Sequence, residues 1–370
     1  MAQTDRNIPT LDGWRAIAIL LVMTCHGYPG LLRSLGWSAP DSPLESAGIL
    51  GVEVFFALSG YLITTKLLEE EQRTGRIDLQ SFYLRRAFRI IPAALVLVIV
   101  AALLSSSGIL PAITAGRLLS AAMFFANYSD AVPSYYVAHF WSLAVEEHFY
   151  LVWPALFVLC AKQYRLKVVI VSALAIALWR AVSWKFQITT ADSAKYFGRT
   201  DVIADSIIWG AAVALAASNP PTERILRYVA RPLPWCALIA LTALASLYQA
   251  QDWKFKLGLF SLCRITVPLV IYGTVINYKA AFGRFLDSAL LRTIGRLSYS
   301  LYLWQQLFLV ISVSDLATGW FGALQIFPLN VIMSFTCAFV SYRYIEQPLI
   351  KFGRRLIALR ASSAATNLPV

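Results

Sequence analysis

The chain is poor in charge. Asp, Glu, Lys and Arg make up 14% of its 370 residues, where an ordinary soluble domain carries about 25%. With 58% hydrophobic residues, that balance excludes both a disordered chain and an ordinary soluble enzyme with polar faces. Histidine is scarcer still. The three residues His26, His139 and His148 give no basis for a histidine metal site, and no resident metal or cofactor is expected. Five cysteines, Cys25, Cys160, Cys236, Cys263 and Cys337, lie in or at the ends of apolar runs without a CxxC pair. They read as small buried hydrophobes, not as a disulfide framework or a zinc site. Strict apolar/polar alternation is also lacking, which excludes an outer-membrane barrel. The net charge of +12 would suit nucleic acid in a soluble domain. In a chain this apolar it has a topological meaning instead, so the expected environment is a lipid bilayer and no nucleic-acid partner is expected.

What the chain has in abundance is continuous apolar sequence, in runs of about 17–23 residues, the length of a membrane-spanning helix. Ten spans can be marked, at roughly 15–32, 48–66, 87–109, 141–161, 166–184, 202–218, 234–249, 257–277, 295–313 and 320–342. The segment 117–127 is too short to cross and reads as an interfacial or re-entrant helix. The first run has no small-residue cleavage site and is expected to stay as a helix. Alternating the connections puts 23 of the 32 Lys and Arg on one side, which predicts both termini in the cytoplasm. The expected fold is therefore an all-α, polytopic bundle of about ten helices. Residues 1–350 form the membrane domain and 351–370 a basic cytoplasmic tail, frayed from 361 onward. No internal repeat, linker or appended soluble domain is visible.

Ionisable groups inside spans are costly and mark candidate sites. Arg15 and His26 lie eleven residues apart on the first span, about 16 Å along a helix. Arg15 could be a snorkelling anchor and His26 a structural histidine. On the fourth span, Glu146 would lie about 8 Å from the outer end, near the depth of His26. Consecutive helical residues point about 100° apart, so Glu146, Glu147 and His148 face differently. The polar row Ser142, Glu146, Tyr150 and Trp153 favours Glu146 for the interior, with Glu147 second and His148 structural. His139 is expected at the outer rim, in solvent. Glu53, Asp201 and Asp205 reach the same outer layer, and Arg264 could neutralise one of these acids in a buried pair. Arg15, Arg85, Arg86 and Arg89 form a cytoplasmic layer, either plain topology or a phosphate clamp. One imidazole among carboxylates suits general-base chemistry.

These residues carry a resemblance to the membrane-bound acyltransferase-3 family of bacterial O-acyltransferases. Leu11-Asp12-Gly13-Trp14-Arg15 with His26 resembles its Arg-x10-His signature. Gly51 to Thr65, Ser81 to Pro92, Phe140 to Pro154, Thr200 to Gly210, Leu297 to Trp304 and Tyr344 to Pro348 resemble further motifs, in the family's order. Ile203 and Gln305 depart from it, standing where a basic residue and a histidine are common. The resemblance implies an enzyme of the bacterial inner membrane. It would transfer an acyl group, acetyl first, from cytoplasmic acyl-CoA (acetyl-CoA) to a hydroxyl of an envelope glycan such as lipopolysaccharide, a lipid-linked saccharide or a small glycoside. By position, His26 is then the catalytic base, Arg15 a donor contact with Arg85, Arg86 and Arg89, and Glu146 the acidic partner of His26. Glu53, Tyr61, Trp141, Asp201 and Asp205 are expected on the acceptor side. Tyr61, Ser59 and Trp141 are candidate oxyanion donors. Acceptor choice is expected to rest on the loops at 110–140 and 185–200. Many relatives carry a C-terminal esterase domain; none is visible here, so the chain is expected to act alone or with a separate partner. The alternative reading is a transporter or flippase for a lipid-linked saccharide or acylated metabolite.

Overall fold

A computed structural model describes residues 8–37, 44–129, 134–186, 188, 198–247 and 253–366. Every regular element among them is helical. The main helices are α1 (Leu11–Ser34), α2 (Glu45–Thr74), α3 (Leu79–Ser106), α4 (Ala115–Ala122), α5 (Phe140–Leu159), α6 (Arg165–Lys185), α7 (Asp205–Ala217), α8 (Pro220–Val229), α9 (Pro232–Leu247), α10 (Trp253–Ile276), α11 (Ala289–Trp304), α12 (Leu329–Ser341) and α13 (Gln347–Thr366). Among the described residues, five stretches are long and apolar enough to cross a membrane: Leu11–Ser34, Ser46–Thr74, Leu79–Ser106, Tyr135–Leu159 and Lys162–Lys185. α8 and α9 pass the same test jointly but bend by 75° between them. α7 is apolar and shorter. α4 has only eight residues, in keeping with a segment too short to cross.

The expected span at 295–313 is interrupted. α11 stops at Trp304, a 3-10 turn follows at Gln305–Leu307, and the chain then runs irregularly while still buried. Helical hydrogen bonding is given up there because side chains from distant elements take over the freed carbonyls. Arg33 of α1 donates to the carbonyls of Val310 and Ile311, the Tyr135 hydroxyl to that of Leu309, and Gln325 Nε2 to that of Leu307 at 2.8 Å. Irregular backbone is tolerated at depth where protein satisfies it. The expected span at 320–342 is likewise split, into a short turn at Gly319–Ala323 and α12.

Close helix crossings come from small residues. A Cβ on Gly60 of α2 would sit 1.9 Å from the Ile207 carbonyl oxygen of α7, and one on Gly295 of α11 would sit 1.9 Å from that of Asp12 on α1. These two contacts set α2 on α7 and α1 on α11. α3 starts at an N-cap: Asp78 accepts from the Ser81 amide (3.0 Å) and hydroxyl (2.6 Å). Those bonds, the hydroxyl foremost, hold the Asp78 carboxyl below its ordinary pKa. α13 runs through the expected domain boundary at 350, with Phe352 edge-on to Phe88 of α3 at 5.5 Å. Residues 361–366 continue that helix, and 367–370 lie outside the described residues. So do 130–133, 187 and 189–197 in the two loops expected to govern acceptor choice.

Candidate active site

Five helices enclose a cavity of ≈ 80 Å³. α1 contributes Arg15, α2 Ser59, α3 Arg86 and Arg89, α5 Ser142, Glu146, Glu147 and Tyr150, and α11 Ser298, Tyr299 and Tyr302. Arg86 and Arg89 are three residues apart and so share one face of α3. Neither has a carboxylate within ion-pair distance among the described residues. Arg86 instead lies over the Tyr150 ring, 4.4 Å from its centroid. Arg15 is 3.5 Å from Asp12. Arg85 turns away: it is 3.5 Å from Glu70 and half exposed. Glu146 accepts from the Ser59 hydroxyl at 2.9 Å and from the Tyr150 hydroxyl at 3.1 Å. A cavity lined by both guanidinium groups and carboxylates can hold a polyanion and keep its own charge balanced between visits.

Glu146 therefore belongs with the arginines, and it is not the hydrogen-bond partner of His26. The helical stretch containing α5 begins at Tyr135, in the 3-10 turn Tyr135–Val137, ahead of the start expected from the sequence. Counted from there, Glu146 lies eleven residues in, roughly 16 Å along the chain at helical rise. His26 Nδ1 lies 2.9 Å from Oε1 of Gln305. Its ring stands edge-on to Tyr135 at 6.2 Å. Gln305, read as a departure at the sequence level, is thus the residue that holds the imidazole. It is completely buried.

Two helix faces connect the cavity to His26. Arg15 and His26 are three turns apart on α1 and so point the same way. On α11 and the turn after it, Ser298, Tyr302 and Gln305 form the matching row. The Gly295 crossing brings the two rows together. The Tyr302 hydroxyl bonds Ser142, and its ring stands 5.6 Å from His139. His139 is 3% exposed, so its expected place in solvent is corrected. The cause is the Tyr135 start, which places His139 inside the protein and against α11. His148 Nδ1 lies 2.7 Å from Thr200 Oγ1, a structural contact.

The remaining acceptor-side candidates lie elsewhere. Asp205 is gripped by Arg180 through two bonds of 2.8 and 2.9 Å and by Arg264 at 3.0 Å, while Arg264 also reaches Glu53 at 3.1 Å. The four side chains are 1–4% exposed. This is the buried pair anticipated for Arg264, enlarged by Arg180. Asp201 accepts from Tyr128, Trp179 and Arg199. Ile203 is buried in the core beside it. Tyr61 is buried in an apolar cluster with Val267 and Tyr272. Trp141 packs edge-on against Phe56, which does line the cavity. Sequence reasoning did not single out Ser298, Tyr299 and Tyr302. Their spacing in Leu297 to Trp304 was the available signal, since 298 and 302 fall on one helical face.

The family model described as an acyltransferase domain, of the acyltransferase-3 family, matches residues 8–343. A candidate O-acetyltransferase of Staphylococcus aureus (strain COL) is 30% identical over 385 residues, covering 96% of this chain and 59% of that protein. The O-acetyltransferase OatA of Staphylococcus aureus (strain NCTC 8325 / PS 47) is 29% identical over 380 residues, covering 96% and 59%. The peptidoglycan O-acetyltransferase OatA of Listeria monocytogenes serovar 1/2a is 28% identical over 378 residues, covering 94% and 56%. The chain thus spans little more than half the length of these relatives. No solved structure matches.

Proposed function

This chain belongs to the acyltransferase-3 family, and from that premise we propose that it O-acetylates a hydroxyl of a cell-envelope glycan, with acetyl-CoA as donor and His26 as general base. The bundle then sits in the bacterial inner membrane as about ten helices with both termini in the cytoplasm. The observation that carries the reading is the cavity lined by Arg15, Arg86 and Arg89, with Arg15 on the same face of α1 as His26 and Gln305 at the end of α11 against the imidazole.

Arg15, Arg86 and Arg89 bind the CoA phosphates by charge-assisted hydrogen bonds. Glu146 and Glu147 line the same cavity and balance the arginine charge, and Glu146 fixes Ser59 and Tyr150. The thioester end extends along the two rows to His26. With Gln305 Oε1 accepting, Nδ1 of His26 carries the proton and Nε2 is left with its lone pair. Nε2 takes the proton of the acceptor hydroxyl as its oxygen bonds to the thioester carbon. The peptidoglycan named for the Listeria relative is the first acceptor to test. Labelled acetyl-CoA is supplied to membranes containing the chain together with peptidoglycan strands. Ester label that appears in the glycan with the wild type and is lost with His26→Ala supports the reading. Equal label from the two proteins contradicts it, and transport of an unmodified saccharide identifies the rival activity.

A further inference from the structure

His26 is held by one end of a primary amide whose other end is unused. Gln305 Oε1 is 2.9 Å from His26 Nδ1. Gln305 Nε2, on the same planar amide, is buried and has no hydrogen-bond partner among the described residues. A buried amide N–H without a partner is costly, and native structures leave few of them. The cost is retained at a position the fold has built with care. α11 breaks immediately before Gln305, and Arg33, Tyr135 and Gln325 hold the irregular chain that follows. Ser59, an oxyanion candidate at the sequence level, is committed to Glu146.

We propose that Gln305 Nε2–H is an oxyanion donor for the transfer step, so that one amide both orients the base and stabilises the charge that forms beside it. The inference rests on the acyl-transfer reading given above. His26 Nε2 accepts the hydroxyl proton while the hydroxyl oxygen bonds to the thioester carbonyl carbon. The carbonyl π pair moves onto its oxygen, which accepts the N–H of Gln305. When the C=O re-forms, the C–S bond breaks and its electron pair leaves on sulfur. The CoA thiolate takes the proton from His26. Atoms and charge balance without a covalent enzyme intermediate.

Gln305→Glu separates the two duties. The carboxylate keeps an acceptor for His26 Nδ1–H and removes the donor. If Gln305 only orients the imidazole, the variant transfers acetyl as well as the wild type or better. The proposal predicts that kcat falls by about 10²–10³, the usual effect of losing one oxyanion donor, with KM for acetyl-CoA and CoA affinity unchanged. Wild-type kcat in this variant overturns the proposal. Gln305→Met preserves side-chain volume and serves if the glutamate variant does not fold. Read on top of His26→Gln, where no imidazole is left to orient, a further fall in the residual kcat with intact CoA binding supports the proposal, and an unchanged residual kcat overturns it. Failure of the wild type to transfer acetyl at all is a different result, and overturns the acyl-transfer reading itself.

Discussion

Arg180 and Arg264 are held by Asp205 and Glu53, with every guanidinium answered by a carboxylate at 2.8–3.1 Å. Arg86 and Arg89, in the same bundle, face a cavity and have no carboxylate within ion-pair distance among the described residues. The first cluster is buried and the second half-buried among apolar helices, and one is closed on itself while the other faces a cavity. A closed network compensates its own desolvation and fixes how α2, α6, α7 and α10 meet. An open one leaves its donors for a ligand, and a polyanion is the guest its chemistry favours. Residue type alone does not distinguish the two. Which arginine finds a carboxylate does.

Substitutions sharpen the contrast. The largest stability effect is expected in the closed network. Arg264→Leu leaves Glu53 and part of Asp205 unpaired in the interior, which costs roughly 3–5 kcal/mol. Thermal unfolding of the purified protein measures that loss, and the protein that remains folded should bind CoA normally. Arg86→Ala should show the opposite profile. Its stability changes little, while CoA binding loses the hydrogen bonds of one charged group. At about 1.5–3 kcal/mol, that is roughly ten- to hundredfold in Kd, read by isothermal titration. Equal losses of stability and of affinity in both variants would erase the distinction between the clusters.

Two smaller effects bound the comparison. Arg85→Ala should leave CoA affinity unchanged, because Arg85 faces Glu70 and solvent instead of the cavity. A loss matching that of Arg86→Ala would place Arg85 in the binding site. Asp78→Ala removes the cap of α3, costing about 1 kcal/mol. The pH dependence of this term has a definite sign. The Asp78 pKa is lowered on folding, mainly by Ser81. Its stabilisation is complete above the unfolded Asp pKa of about 3.9. It is lost as pH falls through the lower folded value. Unfolding curves of wild type and Asp78→Ala should therefore converge in acid.

Much of this arrangement was legible in the sequence. The apolar runs mark most of the helices, the eleven-residue spacing puts Arg15 and His26 on one face, and the row Ser142, Glu146 and Tyr150 does line the cavity. What could not be read depends on distant chain. The break after Trp304 exists because Arg33, Tyr135 and Gln325 satisfy carbonyls far away in sequence. No local propensity records that, and the pairing of His26 with Gln305 follows from it. Arg180 stands alone as a basic residue in an apolar run, and its partner Asp205 lies on another helix. Nor could it be read that Glu146 lines the arginine cavity while Gln305 takes the contact with His26.

If the arginine cavity binds the donor while His26 performs the transfer, one substitution separates the two functions. The most direct test measures CoA affinity and acetyl transfer on one preparation of His26→Gln. Wild-type CoA affinity is expected, with a transfer rate reduced by about 10²–10⁴, the usual contribution of a general base. Transfer at the wild-type rate would contradict it.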